Sequence, residues 1–377
     1  PMESQLLEEY LRLLHGSELS AAQFSRLLTR FESLDRIRDF VSSEPLGRGL
    51  SSPQVAAILG PEKSRNVDNC IKNDLNWLEN DANSIVCYED KAYPELLRQT
   101  GGAPALLYVR GNPHQLSGPL LAMVGSRKSS SYGSRNAYWL AHELGRIGLG
   151  ICSGLAKGID AQAHAGALAA NAGTVAVMGT GADLIYPHTN RPLAERILEN
   201  GALITEFPLG TPPLPAHFPQ RNRIISGLCC GALVVEAALR SGSLITARLA
   251  MEQNREVFAL PGTINNPLSR GCHQLIKQGA KLVETPEDVL EELITPGLLN
   301  TLDVAVECGE SKQPTGQQTG STKEQRLILK ELQAESCLVD TLAERTGLEL
   351  QQLSNELVQL EIQGLIDSTG GRYSRAY

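Results

Sequence analysis

The sequence predicts an α/β fold class: an extended Rossmann-like, doubly wound parallel sheet, with an N-terminal helical bundle before it and a C-terminal winged helix after it. Three observations carry the expectation. From about Ser84, short and nearly continuous apolar runs alternate with helix-patterned stretches, as in a parallel sheet buried on both faces. The first 80 residues show helical spacing alone. Past a stretch rich in Gly, Gln and Thr, the chain closes on three helical segments and a short hairpin.

Size and composition suit that reading. The chain has 377 residues, 42% of them hydrophobic and 20% charged, enough for several domains with self-sufficient cores. No apolar run approaches the roughly 20 residues that span a bilayer, and no charged-then-apolar leader opens the chain, so a cytoplasmic location without membrane contact is expected. The eight cysteines form no C-x-x-C pair and no zinc spacing, which predicts reduced, mostly buried thiols and neither metal nor cofactor.

In the bundle, Ser20 can cap a helix carrying Phe24, Leu27 and Leu28, and Ser33 precedes Leu34, Ile37 and Phe40 at helical spacing. Ser52-Pro53 opens a further helix that Gly60-Pro61 ends, and Pro61 is expected to start a longer one through Ile71, Leu75 and Leu78. A helix-hairpin-helix grip on DNA would need a Gly-x-Gly turn flanked by bases. None is present, so the bundle reads as a packing or interaction module.

The predicted strands are Ala105–Val109, Leu120–Val124, Leu149–Cys152, Thr174–Met178, Ala202–Thr205, Ala232–Val235 and Val257–Leu260. Helices are expected over Tyr132–Ile147, Asp160–Ala170, Pro192–Asn200, Leu244–Asn254 and Cys272–Gln278. Residues 296–322 read as a flexible linker. Beyond it come helices over Lys323–Ala334 and Val339–Arg345, a third carrying Leu350, Leu353, Leu357 and Leu360, and a hairpin around Gly370-Gly371. The expected division is therefore 1–80, 81–295, 296–322 and 323–377. That last helix holds Glu349, Glu356 and Glu361 but no Lys or Arg, which favours protein interaction or dimerisation over duplex reading.

Charge is distributed unevenly. The net charge is −8, yet eight acids lie between Glu284 and Glu310 without one Lys or Arg; the rest of the chain balances at 34 of each sign. From Phe207 to Val235 no Asp or Glu occurs, and at the centre stands His217-Phe218-Pro219-Gln220-Arg221-Asn222-Arg223. Guanidiniums grip phosphate oxygens through paired donors and an aromatic face stacks on an unpaired base, which points to single-stranded nucleic acid. A local field, not the net charge, decides where a polyanion lands.

Three Gly-rich loops follow predicted strands. Gly125-Ser126-Arg127 leads toward a helix, where free backbone N–H groups and a guanidinium suit a phosphate. Ser153-Gly154-Leu155-Ala156-Lys157-Gly158 precedes Asp160 and His164, for which a helix cap and a buried imidazole are the expected roles. Gly179-Thr180-Gly181 leads to Tyr186-Pro187. Sharper enzyme motifs are missing: no P-loop, no third glycine of a dinucleotide fingerprint, no G-x-S-x-G. Glu236, which would repel phosphates if it faced outward, is expected to orient Arg221 or Arg223. The competing reading is a Rossmann-type nucleotide-processing enzyme such as a phosphoribohydrolase, with Glu206 or Glu236 as acid or base.

These residues in this order resemble the DNA-processing protein A (DprA, or Smf) family over about residues 85–295. The matching elements include Tyr93-Pro94, Gly125-Ser126-Arg127, Ser153 to Asp160 with His164, Tyr186-Pro187, Phe218-Pro219-x-Arg221-Asn222-Arg223, Ser241-Gly242-Ser243, Pro261-Gly262 and Gly279-Ala280. The resemblance implies a non-enzymatic protein that binds and protects single-stranded DNA, and loads the RecA recombinase during natural transformation. It implies that Arg127 and the amides of Gly125, Ser126, Gly154 and Gly158 hold phosphates, with Ser153 and Lys157 in the same loops. Phe218 would meet a base, and Arg221, Asn222 and Arg223 would complete the pocket. It further implies a homodimer with Met251, Ile276 and Leu282 at the interface, and His273 beside them where many members carry Asn. Some members place lysines where His188 and Pro215-Ala216 stand here, so weaker or more pH-dependent DNA binding is expected.

Overall fold

The computed structural model describes residues 4–16, 19–43, 50–60, 64–294, 323–332, 337–362, 365–369 and 372–375. The chain divides into two compact units, Pro1–Leu302 and Asp303–Tyr377. The expected linker at 296–322 lies outside the described residues.

The first unit opens with helices α1 (Ser4–Gly16), α2 (Ala21–Phe31), α3 (Leu34–Ser43), α4 (Ser52–Leu59) and α5 (Arg65–Trp77). Ser20 caps α2 in a reciprocal box: its hydroxyl accepts from the Gln23 amide, and the Gln23 side chain accepts from Ser20 N–H at 3.0 Å. Ser51 and Gln54 repeat the arrangement on α4, one residue before the expected start. The start expected at Pro61 falls outside the described residues, and the helix begins instead at Arg65. Ser64 supplies the acceptor there, taking the Val67 N–H at 3.3 Å.

The bundle is fastened to the sheet. Tyr10 Oη and the Leu34 amide both donate to Glu89 Oε1, at 2.8 and 2.9 Å. Trp77 meets Tyr108 edge-on, with ring centroids 5.7 Å apart.

The sheet region runs β1 (Asn83–Cys87), α6 (Glu95–Arg98), β2 (Leu106–Gly111), β3 (Leu120–Val124), α7 (Ser131–Arg146), β4 (Gly150–Ser153), α8 (Ile159–Ala169), β5 (Thr174–Val177) and α9 (Arg191–Asn200). It continues with β6 (Ala202–Thr205), α10 (His217–Leu228), β7 (Gly231–Val234), α11 (Gly242–Glu252), β8 (Glu256–Ala259), α12 (Arg270–Lys277), β9 (Lys281–Leu282) and α13 (Pro286–Ile294). Among the described residues these strands form one nine-stranded sheet, in the order β1-β2-β6-β5-β4-β3-β7-β8-β9. Pairing is parallel from β6 through β9. The sheet is parallel as expected except at one edge, where β2 runs antiparallel to β6 and β1 antiparallel to β2. An antiparallel pair needs no covering crossover helix, so it can close an edge next to the bundle.

Alternation along β3 divides the core. Leu121 and Met123 join a buried cluster with Leu140, Leu144 and Ile159 of α7 and α8, whereas Ala122 and Val124 join the cluster holding Ile224 of α10 and Ala247 of α11. Helices α7 and α8 pack almost backbone to backbone: a Cβ at Gly166 would lie 2.2 Å from the Tyr138 carbonyl oxygen. Winding proceeds from β3 to β6 on one side and resumes with β7 on the other, so the direction reverses between β3 and β7, where ligands of such sheets enter. The described cysteines are free, and all but Cys70 are buried.

The second unit holds α14 (Lys323–Glu331), β10 (Cys337–Leu338), α15 (Val339–Thr346), α16 (Leu350–Ile362), β11 (Ile366–Thr369) and β12 (Arg372–Arg375). Ile328, Leu342, Leu353, Leu357, Leu360 and Ile366 form its core, and β12 pairs with both β10 and β11. Gly347 ends α15 at φ +67°, a left-handed turn that suits glycine. This is the expected winged helix, with α16 lacking Lys and Arg along its length.

Candidate nucleic-acid interface

The loops after β3, β4 and β5 meet along the carboxyl edge of the sheet. Gly125 admits the start of α8, since a Cβ there would lie 2.5 Å from Ile159. Gly158, at φ +77°, faces the Ser126 carbonyl at a distance that leaves no space for a side chain. Ile159 N–H donates to Ser126 O at 3.2 Å, and the Ser126 hydroxyl accepts from Lys128 N–H at 3.1 Å. Two tight loops are thereby locked together, with Arg127, Lys128 and Lys157 exposed on them. Among the described residues these three cations have no ion-pair partner.

Two expected phosphate ligands face elsewhere. The Ser153 hydroxyl is buried and donates to Met123 O at 2.6 Å. Gly154 N–H donates to Asp160 Oδ2 at 3.1 Å, as Ala156 N–H does at 3.4 Å. Asp160 is therefore not the expected helix cap: Gly158 stands at the N-cap of α8 with no side-chain cap bond, and the Asp160 carboxylate takes amides of the preceding loop instead. It braces its own loop, while Asn190 Nδ2 holds the Leu155 and Ala156 carbonyls from outside at 2.9 and 3.1 Å.

The arginine segment forms the first half of α10, a helix the sequence reading missed. Phe218 is the centre of the site. The Arg127 guanidinium carbon lies 5.5 Å from its ring centroid and that of Arg221 5.9 Å away; the Tyr186 ring stands 5.7 Å off at 43°. Gly179 allows this approach, because a Cβ there would come within 3.0 Å of Phe218. His217 stacks on Phe207 with centroids 4.2 Å apart.

Arg221, one helical turn from Phe218, runs inward. It is buried, and its Nη1 donates to Gly154 O at 2.8 Å and to Val177 O, tying the ends of β4 and β5 together. Burial lowers its pKa to about 10 against the opposing pull of Asp160, which leaves it charged at neutral pH. Arg223 leaves the opposite side of the helix and pairs with Glu206 at 2.5 Å, its stem lying against Gly102. Asn222 is half-buried between them in sequence. The structure therefore gathers Arg127, Phe218, Lys157 and the β3 and β4 loops, sets Arg221 beneath them, and turns Arg223 away.

Glu236 is corrected as well. It meets neither arginine: its carboxylate accepts the Ser130 N–H and hydroxyl at 2.9 and 2.5 Å, and Ser130 in turn caps α7 through Gly133 N–H at 3.0 Å. A Cβ at Gly133 would lie 2.3 Å from that carboxylate. Helix geometry explains the exchange of partners, since Arg223 projects toward Glu206 at the end of β6 rather than toward β7. Asn190 is a site element the sequence reading did not name; Tyr186 was named without a role, and Glu206 only as an acid or base of the enzyme alternative. An exposed aromatic after a Gly-x-Gly loop was the signal for Tyr186.

His164 is wholly buried, as expected, with Nδ1 2.7 Å from Thr174 Oγ1. The Thr174 hydroxyl donates to Ile151 O at 2.8 Å, so the imidazole is the donor to Thr174 and carries its proton on Nδ1. Burial, with Arg221 adding to it, lowers its pKa to about 3. The unfolded chain takes up this proton near pH 6.5 and the folded chain only near pH 3, so stability falls as pH drops through that window. From pH 7 to pH 5 the loss is about 2 kcal/mol by chemical denaturation. His164→Gln should flatten that slope; an unchanged slope would refute the assignment.

Of the residues expected at a dimer contact, Met251 at the end of α11 is 45% exposed and Leu282 in the edge strand β9 is 39% exposed. Ile276 is half-buried against the core, and His273 Nε2 lies 2.9 Å from Gly262 O, turned into its own chain.

Fold and site together define an extended Rossmann-like protein whose loop edge is cationic and aromatic, with Asp160, Glu206 and Glu236 buried beneath it, joined to a winged helix. Residues 84–294 match the family model for the DNA recombination-mediator protein A, and residues 312–372 match the DprA winged helix domain. The chain belongs to the DprA/Smf family. It is 42% identical over 370 residues to protein Smf of Escherichia coli, covering 98% of this chain and 95% of that protein. It is 48% identical over 203 residues to the DNA processing protein DprA of Streptococcus pneumoniae, covering 54% of this chain and 72% of that one. The X-ray structure of the Streptococcus pneumoniae protein superposes with a TM-score of 0.56 at 37% identity, over 73% of this chain and 98% of that one. DNA processing protein A from Helicobacter pylori, solved to reveal its single-stranded DNA binding mode, gives 0.52 at 29% identity over 57% and 96%. No helix among the described residues is long and apolar enough to cross a membrane.

Proposed function

We propose that this chain binds single-stranded DNA along the loop edge of its sheet, protects incoming strands and loads the RecA recombinase during natural transformation. It does so without catalysis, in the cytoplasm and as a homodimer through the β9 edge, with residues 1–80, 81–295 and 323–377 as its folded parts and 296–322 as the tether. The observation that carries the reading is the Arg127 guanidinium over the Phe218 ring, beside an exposed Tyr186 and the exposed Lys128 and Lys157. A phosphate and an unpaired base can be met there together. The single-stranded DNA binding mode described for the Helicobacter pylori relative supports the same ligand class.

The enzyme alternative finds little support. Glu206 is spent on Arg223 and Glu236 on Ser130, so neither candidate acid or base is free to reach a substrate.

The test is binding of the full chain to labelled oligothymidylate and to duplex DNA across a salt series. Three phosphate contacts at Arg127, Lys128 and Lys157 should give a slope of about −2 in log K against log salt on single strands. Removing residues 323–377 should leave most of that affinity. Salt-independent binding, or a preference for duplex that disappears with the tail, would reject the assignment. Capture of RecA by the full chain tests the loading step separately.

A further inference from the structure

The rim does not end at the Phe218 pocket. Hydrogen bonds stitch the β3 loop to the loops after β7 and β8: Ser243 Oγ donates to Gly125 O at 2.9 Å, and Ser130 is held by Glu236. Ala237 N–H donates to Leu268 O at 2.7 Å, Gly271 N–H to Ala237 O at 2.8 Å, and the Tyr132 hydroxyl to Pro261 O at 3.2 Å. The loops after β3, β7 and β8 are thus held together across the point where the sheet reverses direction.

This second section is apolar and cationic. Ile264 is 80% exposed, Leu239 53% and Tyr132 40%. Arg240 and Arg270 stand exposed on the same two loops, and among the described residues neither has an ion-pair partner. Residues 237–251 contain no Asp or Glu, and residues 257–283 contain none either. The carboxylates felt by the Tyr132 phenol are Glu236, turned inward onto Ser130, and Glu284 beyond the last strand. Apolar faces beside unpaired guanidiniums, on segments without Asp or Glu, suit a flexible polyanion carrying flat apolar rings.

The geometry points to a second section of the strand path: single-stranded DNA leaving the Arg127–Phe218 pocket crosses the β3/β7 reversal and lies over the β7 and β8 loops, its phosphates on Arg240 and Arg270 and its bases against Tyr132, Leu239 and Ile264. This rests on the reading that the first pocket holds single-stranded DNA. The strand occupies one continuous rim, with the pocket at one end.

Two oligothymidylates separate the sections: one of about 4 nucleotides, which fills the pocket alone, and one of about 16, which reaches the second section. In the full chain, Arg240→Ala with Arg270→Ala should weaken the long strand about tenfold and flatten its salt slope by about 1.4, leaving the short strand bound as in the parent. Ile264→Asp, at an exposed position without packing to lose, should weaken the long strand in the same selective way. Unchanged affinity for the long strand in both variants overturns the proposal. So does an equal loss on both lengths, which would place the arginines' effect on the pocket itself. A change in oligomeric mass by light scattering with long-strand affinity intact would make this face a contact between copies, and also overturns it. A parent chain that binds neither strand rejects the pocket reading, and this one with it.

Discussion

Arg221→Ala is expected to cost about 3–5 kcal/mol of stability, measured as a lowered midpoint of urea unfolding with the slope unchanged. The guanidinium is buried where β4 and β5 end, donating to the Gly154 and Val177 carbonyls and balancing the buried Asp160. Removing it strands two carbonyl acceptors and leaves a carboxylate without its counter-charge. Arg221→Lys should recover only part of the loss, because a single ammonium cannot reproduce the planar fork. Any fall in DNA binding in these variants should track loop collapse, seen as a lower Tm, and not a lost phosphate contact. An Arg221→Ala chain as stable as the parent would remove the keystone role.

Arg127→Ala with Phe218→Ala is expected to lower affinity for single-stranded oligonucleotides about 100-fold while leaving Tm within the experimental spread. Stacking of one base on an aromatic ring contributes about 1–3 kcal/mol, and the guanidinium adds a phosphate contact. Since the two groups touch, at 5.5 Å, each single substitution should already cost more than half of the combined effect. Arg223→Gln supplies the contrast. Its partner is the buried Glu206, so that variant should lose stability first and binding only modestly. Binding by the Arg127 and Phe218 double variant at parental strength would discard the pocket.

The sheet was legible because its strands are buried on both faces and therefore read as unbroken apolar runs; Leu120–Val124 and Ala202–Thr205 fall where expected. The antiparallel edge was less visible. β1 carries Asn83 and Ser84 within a half-buried segment, and a short edge strand of that kind has no pattern distinct from a loop. Helix α10 was hidden by Pro219 near its start and by the polar Gln220 to Arg223, even though proline is well tolerated in a first turn. The site residues were legible by type and not by direction. Sequence spacing places Phe218, Arg221 and Arg223 in one segment, but only helical phase separates the first two from the third. The roles of Ser153 and of the Gly154 amide depended on which neighbour lay closer, Met123 or solvent, Asp160 or a ligand, and no spacing rule carries that information.

The bare face at Gly166 bears on how quickly a strand can be captured. With α7 and α8 seated against each other at the Tyr138 carbonyl, the two helix starts that border the pocket cannot slide independently. If the loop edge holds a strand as proposed, this close seating of α7 on α8 puts the entropy lost on capture on the flexible nucleotide chain and not on these two helices. Encounter should accordingly run at a rate set by electrostatic attraction at a given ionic strength, without a slow isomerisation afterwards, and a bulkier residue at this one position would convert a rigid receptor into one that must first rearrange.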